Sequence, residues 1–184
     1  MTNEQIESLL SMVSRGESSV DEAMDALRDL PYEDLGHTKI DHHRALRNGF
    51  PEVIYGAGKT PEQVAEIFGA MMTRSHVLAT RVTEAMATAV RAVCPDVEYN
   101  RLGRTLVYRR TPIEYRGGKV MIVTAGTSDL PIAEEARVTA DILGNPTELI
   151  SDVGVAGIHR LFGSIDQIRD AAIIIVVAGM EGAL

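Results

Sequence analysis

The sequence predicts an α/β protein whose second half is built on a parallel sheet. Two observations carry this: the Val- and Ile-rich strands at 119–125 and 171–178 lack polar alternation, and helix-length segments lie between the strands. Strands of that kind are covered on both faces, and parallel neighbours need crossover helices to connect them. A third observation concerns the turns, because glycine follows each of these strands where the chain must bend back.

The elements follow in order. Ile6, Leu9, Leu10 and Val13 recur at helical three-and-four spacing, and Gly16 ends the run. Ser19 with Glu22 forms a capping-box pattern that opens a second helix, with Val20, Ala23, Met24 and Leu27 on one face and Pro31 as its stop. Two short helices bury little alone, so the pair is expected to dock on something larger, a partner-binding hairpin being the alternative. Residues 36–48 are polar and gather Asp41, His42, His43, Arg44 and Arg47. A short strand over 50–55 then leads through Gly56-Ala57-Gly58-Lys59-Thr60 into a helix at Pro61. Thr60 suits the N-cap, Pro61 the first helical position, and Gln63 completes a second capping box.

Residues 75–93 are expected as one long helix, with Val82, Met86, Ala89, Val90 and Val93 on one side and Pro95 beyond its end. Segments 97–99 and 105–109 flank Asn100-Arg101-Leu102-Gly103 as a β-hairpin, and Arg116-Gly117-Gly118 makes a break. Beyond it lie a strand at 119–125, a helix at 131–143, a strand at 147–151, short helices at 157–162 and 164–170, and a strand at 171–178. This is a βαβαβ half of a doubly wound fold. The last strand is apolar enough to be expected inside a sheet, yet only six residues follow 178 in the 184 given. The sheet is therefore expected to be incomplete at the C-terminus, with cover by another subunit as the alternative. The expected division is an N-terminal helical and mixed α/β region at 1–117 and the first part of an α/β domain at 118–184.

Composition narrows the function classes. Apolar residues make up 45% and charged residues 24%, the balance of an ordinary globular protein rather than a disordered one. A formal charge of −8, with no local Lys/Arg block, opposes nucleic-acid binding. Cys94 is the single cysteine, so no internal disulfide forms, and no basic-then-apolar leader opens the chain; a cytoplasmic protein is expected. The longest apolar run is far short of the roughly 20 residues a membrane span needs.

Ligands of open α/β sheets sit beyond the carboxyl ends of the strands. Three loops leave strands there: 125–129, 152–160 and 179–182. Gly126, Thr127, Ser128 and Asp129 offer hydroxyls and amides before a helix N-terminus, a favourable place for phosphate; the alternative is that Ser128 or Asp129 only caps that helix. His159 and Arg160 supply an imidazole and a fixed cation suited to phosphate or carboxylate. Glu181, just past the most apolar strand, suits proton transfer, with helix capping as the alternative. Gly58-Lys59-Thr60 ends like a phosphate-binding P-loop, but Val53 stands where that motif needs glycine, so a Walker-type NTPase is rejected while Lys59 keeps the option of reaching a phosphate. His37, Asp41, His42 and His43 fit no standard zinc spacing, and Cys94, at the end of a helix, reads as structural rather than nucleophilic.

The order strand, Gly126-Thr127-Ser128-Asp129, helix, strand, His159-Arg160, strand, Ala178-Gly179-Met180 resembles the aminoimidazole ribonucleotide carboxylase fold. Together with Asp41-x-x-Arg44-x-x-Arg47-x-Gly49-Phe50-Pro51-Glu52-Val53 and Gly58-Lys59-Thr60, the chain more closely resembles the pyridinium-3,5-biscarboxylic acid mononucleotide synthase family, LarB, over nearly its whole length. The resemblance implies a parallel three-layer, flavodoxin-like sheet and a carboxylase/hydrolase. Its substrate would be nicotinic acid adenine dinucleotide, carboxylated at C5 of the pyridinium ring from CO2 or bicarbonate and cleaved at the phosphoanhydride to release AMP. The product would lead to the nickel-pincer nucleotide of lactate racemase.

Magnesium near the phosphates and a homo-oligomer are further implications. By the motif, Glu181 would assist proton removal, Gly126, Thr127, Ser128, Asp129, His159 and Arg160 would surround the nucleotide, and Asp41, Arg44 and Lys59 would join them. The family's nucleophilic cysteine lies in a segment later than Leu184 and Cys94 does not match it, so the chain as given is expected not to complete catalysis. Two other readings stand: an aminoimidazole ribonucleotide carboxylase or mutase acting on a mononucleotide, and a nucleotide-binding module without turnover.

Overall fold

A computed structural model describes residues 3–28, 32–42, 44, 49–179, 182 and 184. Helices α1 (Asn3–Ser14) and α2 (Val20–Arg28) form where the sequence signals them. Gly16 leaves α1 with φ 74°, and Ser19 and Glu22 exchange the two bonds of a capping box at 3.1 and 2.8 Å. The hairpin buries Ala23 but leaves Leu10, Val20 and Met24 exposed, so the expected docking covers little of its apolar stripe. The stop assigned to Pro31 lies outside the described residues.

A two-stranded antiparallel ribbon, β1 (Glu33–Asp34) and β2 (Lys39–Ile40), precedes the first sheet. That sheet contains β3 (Val53–Tyr55), β4 (Val77–Thr80), β5 (Glu98–Asn100) and β6 (Thr105–Tyr108) in the order β3-β4-β6-β5. β3 runs parallel to β4, and the other pairings are antiparallel. Helix α3 (Pro61–Met72) crosses from β3 to β4 behind the Thr60/Gln63 capping box. Helix α4 (Glu84–Val93) follows β4, with Thr83 Oγ1 accepting the Met86 N–H.

The single helix expected over 75–93 is therefore a strand and a helix. Val77, Leu78, Ala79 and Thr80 are all buried, because β4 lies between β3 and β6. A four-residue run buried on every side has no period that separates strand from helix. Only the Thr83 cap marks where the helix begins.

The second sheet is wholly parallel, in the order β8-β7-β9, from β7 (Val120–Thr124), β8 (Thr147–Ile150) and β9 (Ile173–Val177). Helix α5 (Leu130–Ile142) joins β7 to β8, and α6 (Ile158–Gly163) with α7 (Ile165–Arg169) joins β8 to β9. This is the open, parallel α/β arrangement that the sequence predicts, in keeping with a flavodoxin-like fold. Central β7 is buried at every residue. β9, expected inside, stands at one edge of the three strands with Ile173, Ile174 and Val176 exposed. Apolar content specifies a strand without specifying which neighbour lies beyond it.

Helix α5 is the shared layer. Its Val138 and Ile142 pack with Leu78 and Val107 of the first sheet, and its Ala133 and Ala140 with Val120 and Ile122 of the second. The far face of the first sheet is covered by α3 and α4 through Val64, Phe68 and Val90, and that of the second by Leu161 and Ile168 of α6 and α7. Each fully buried Phe or Val in these layers contributes roughly 1.5–3 kcal/mol relative to exposure.

The direction of α5 fixes how the sheets face. Near its start, Asn100 Nδ2 donates to Glu134 at 2.9 Å, and a Cβ on Gly103 would come within 3.0 Å of the Glu134 and Glu135 backbone. Near its end, Arg109 Nη2 donates to Asp141 at 2.7 Å. Residues 100–104 adjoin the ends of β3 and β4, whereas Arg109 follows the opposite end of β6. Both sheets thus present the carboxyl ends of their parallel strands at the N-terminal end of α5. Among the described residues no helix is long and apolar enough to cross a membrane.

Candidate functional site

The loop after β7 is the hub of the second sheet's carboxyl edge. Ala125 N–H donates to Val177 O at 3.2 Å, tying this loop to the end of β9. Gly154 N–H donates to Ala125 O at 3.0 Å and Val153 N–H to Thr124 O at 3.1 Å, tying it to the loop after β8. A Cβ at Gly154 would lie 2.8 Å from Ala125 O, so only glycine permits that approach. At the third loop, a Cβ on Gly179 would lie 3.8 Å from Asp129 Oδ1, ordinary contact. The three loops therefore meet beyond neighbouring strands.

Within the hub, Gly126 precedes a 3-10 turn, Thr127–Asp129, that runs straight into α5. Asp129 Oδ2 accepts the Gly126 N–H at 2.9 Å, so this carboxylate shapes its own loop. Thr127 and Ser128 are exposed, and neither hydroxyl has a hydrogen-bond partner among the described residues. Their hydroxyls stay available beside a helix N-terminus, where partial positive charge favours an anion. His159 is exposed on α6, and Arg160 forms an ion pair with Asp152, whose backbone is left-handed at φ 60°.

The first sheet contributes a second group at the same end. Gly56 N–H donates to Thr80 O at 2.8 Å, and Gly58, at φ 81°, turns the chain so that half-buried Lys59 precedes the α3 cap. Asp41 and Arg44 do not share this turn: Asp41 N–H donates to Glu52 at 2.7 Å and Arg44 N–H to Asp41 O at 3.3 Å, beside the residue that enters β3 at its amino end. The Arg44 Nε is buried and has no hydrogen-bond partner among the described residues. Glu181, His43 and Arg47 lie outside the described residues.

Sequence reasoning missed Arg81 and Arg104. Both have left-handed backbones, φ 56° and 51°, and with Asp152 they are the non-glycine residues with positive φ among those described. Arg81 pairs with Glu135 of α5 at 2.8 Å. No signal in the sequence singles them out, since Arg81 falls inside the helix expected over 75–93 and Arg104 directly follows the expected hairpin turn Asn100-Arg101-Leu102-Gly103.

A cavity of about 420 Å³ opens on the flank of α5, lined by Tyr99, Thr105, Arg109, Arg137 and Asp141 among others. None of the residues nominated from the sequence lines it. Its arginines are engaged, Arg109 with Glu98 and Asp141 and Arg137 with Glu134, and Arg137 holds the Glu134 carboxyl below its ordinary range.

Cys94 is buried, and that burial pushes its thiol up, as suits a packing residue rather than a nucleophile. Among the described residues no three His, Cys, Asp or Glu side chains group into a metal site. Asp129 and Asp152 at the sheet edge are both engaged, so these residues do not form a ligand set for a protein-held magnesium.

A family model described as LarB/PurE-like N-terminal domain matches residues 32–110. An uncharacterized protein of Methanocaldococcus jannaschii is 38% identical over 186 residues, covering 96% of this chain and 73% of the relative. The chain belongs to the LarB family. Membership in the LarB family assigns it, at the coarse level, a carboxylase-related function. The matched segment takes in the whole first sheet with α3 and α4, and with it Asp41, Arg44, Lys59, Arg81 and Arg104.

Proposed function

We propose that this LarB-family protein carboxylates the pyridinium ring of nicotinic acid adenine dinucleotide at C5 and cleaves the phosphoanhydride, giving pyridinium-3,5-biscarboxylic acid mononucleotide and AMP. In this reading residues 1–184 supply the edge that holds the dinucleotide. The observation that carries it is the meeting of the three loops after β7, β8 and β9, with exposed Thr127 and Ser128 at the start of α5. The LarB/PurE-like match adds the carboxylase class.

The chemistry follows from the ring. A pyridinium C5 is too electron-poor to attack CO2. A thiolate that adds beside C5 breaks aromaticity and makes C5 the nucleophilic end of a dienamine, which takes up CO2 as a new C–C bond. A base then removes the C5 proton and the thiolate leaves with its electron pair, restoring the ring. Cys94 is buried and is not that thiolate; the resemblance draws it from a cysteine beyond residue 184. Glu181 is the proposed base. Gly126 and Gly154 allow backbone to approach the pyrophosphate, and Thr127, Ser128, Lys59, Asp41, Arg44, His159 and Arg160 are the proposed polar contacts around the nucleotide. Magnesium is proposed only as a companion of the substrate phosphates, where it would offset their negative charge.

The test supplies nicotinic acid adenine dinucleotide and 13C-bicarbonate to the product of the complete coding region. AMP release together with a pyridinium product one labelled carboxyl heavier supports the proposal. Its Glu181→Gln variant should keep substrate affinity and lose turnover. Absence of both AMP and the labelled product overturns the reading, and labelled carboxylation of a mononucleotide without AMP would place the protein with the aminoimidazole ribonucleotide enzymes instead.

A further inference from the structure

The edge where β3 and β4 end holds two strained arginines that the loop geometry alone does not require. Arg81 and Arg104 adopt left-handed backbones, at φ 56° and 51°, in a region that glycine occupies at no steric cost. They are locked to one another: Val82 N–H donates to Arg104 O at 2.8 Å, Arg104 Nε donates to Val82 O at 3.2 Å, and Arg104 Nη2 donates to Arg81 O at 3.4 Å. Packing around the turn is close, since a Cβ on Gly56 would lie 2.9 Å from Thr80 O and 3.2 Å from Arg81 O. Strain held by surrounding structure at a strand end is a pointer to function.

The Arg81 side chain is aimed by Glu135. Nε approaches the two Glu135 carboxylate oxygens at 3.1 and 2.8 Å, and the pair is part-buried, with Arg81 39% and Glu135 19% exposed. Among the described residues neither terminal nitrogen of Arg81 has a hydrogen-bond partner. A guanidinium fixed along its Nε edge presents its two remaining nitrogens as a fork suited to a phosphate. Glu135 lies five residues into α5, about 7.5 Å along the axis from Leu130 at the helical rise. Arg81 therefore stands on the same end of the molecule as the Gly126 loop, reached from the other sheet. Lys59, in the neighbouring turn, adds a second cation to this edge of a chain whose formal charge is −8.

We propose that Arg81 clamps a phosphate of the dinucleotide from the first sheet, with Glu135 aiming its side chain and Arg104 acting as a positioning residue for its backbone. This rests on the dinucleotide reading above for the identity of the ligand, and on geometry alone for the presence of an oxyanion site.

Calorimetric titration of the intact protein with nicotinic acid adenine dinucleotide, and separately with inorganic pyrophosphate, tests it. Arg81→Gln should weaken both by about tenfold or more, the worth of a charge-assisted hydrogen-bonded pair, at little change in melting temperature. Arg81→Lys should recover only part of the loss, because a point charge does not reproduce the fork. Arg104→Gly matches the left-handed backbone while deleting the guanidinium, so it should melt no lower than wild type yet bind several-fold more weakly. A merely structural role would move stability and leave affinity alone.

Wild-type affinity for both ligands in folded Arg81→Gln overturns the clamp while leaving the dinucleotide reading intact. If Arg81→Gln does not fold, equal affinity in Arg81→Lys and Arg104→Gly overturns it instead. A wild type that binds pyrophosphate but not the dinucleotide, with the pyrophosphate lost in Arg81→Gln, sustains the clamp and rejects the substrate. Binding of neither ligand by the wild type rejects both.

Discussion

Cys94 shows burial deciding what a side chain does. It is 1% exposed at the C-cap of α4, and desolvation holds its thiol protonated well past neutrality. Cys94→Ala is therefore expected to leave turnover unchanged, and peptide mapping after iodoacetamide treatment should show Cys94 modified far more slowly in the native protein than in the denatured one; equal rates at Cys94 would contradict the assignment. His76 makes the opposite use of burial. Its Nδ1 accepts the Arg110 N–H at 3.2 Å, and burial, with Arg109 and Arg110 nearby, keeps its pKa below the ordinary 6.5. The unfolded chain then binds the extra proton first, so the contribution is fully present above pH 6.5 and is lost as pH falls below it. The stability advantage of wild type over His76→Asn should shrink between pH 7.5 and 5, read from denaturant midpoints, whereas a constant difference would show that His76 does not titrate as described. At this scale the sequence was informative for Cys94, whose place at the end of a helix reads as structural. It was silent on Arg81 and Arg104, because an arginine's backbone strain depends on strands and a helix far away in the chain.

Caps and close approaches govern the elements. Thr60 and Gln63 close a capping box at the start of α3, and Thr60→Ala is expected to lower stability by about 1 kcal/mol in chemical denaturation. Gly103 and Gly154 act at points where two segments touch. A methyl at Gly103 would meet the α5 backbone at 3.0 Å, and one at Gly154 would meet Ala125 O at 2.8 Å. Gly154→Ala should therefore push the loop after β8 off the loop after β7 and weaken nucleotide binding more than Gly103→Ala, which should act mainly on stability; the reverse order would argue against a site at the loops. Capping boxes are legible because both partners sit within four residues, and so all the caps drawn from the sequence at Ser19 and Thr60 formed. β4 was not legible, since Val77, Leu78, Ala79 and Thr80 are buried all round and carry no alternation.

The whole molecule is organised around α5, which has one sheet on each side. Val138 and Ile142 serve the first and Ala133 the second. Ile142→Ala should cost about 2–5 kcal/mol and loosen the relation between the sheets, which hydrogen exchange across β4, β6 and β7 would register. The parallel half of this arrangement was visible in strand composition. The shared helix was not, because nothing local in residues 130–142 says that one face is buried against Leu78 and Val107, 30 or more positions away from Val138 and Ile142. The coming together of two carboxyl edges at one end of α5 depends on that long-range packing, as do the roles given to Lys59 and Arg81.

The most direct measurement is an amide chemical-shift titration of the labelled protein with nicotinic acid adenine dinucleotide. The expected result is a set of saturable shifts at Gly126, Thr127, Ser128, Gly154 and Gly179, with Arg81 and Lys59 moving in step. Shifts confined to the cavity beside Tyr99, Thr105 and Asp141, or none at all at millimolar ligand, would contradict a nucleotide site at the meeting of the loops.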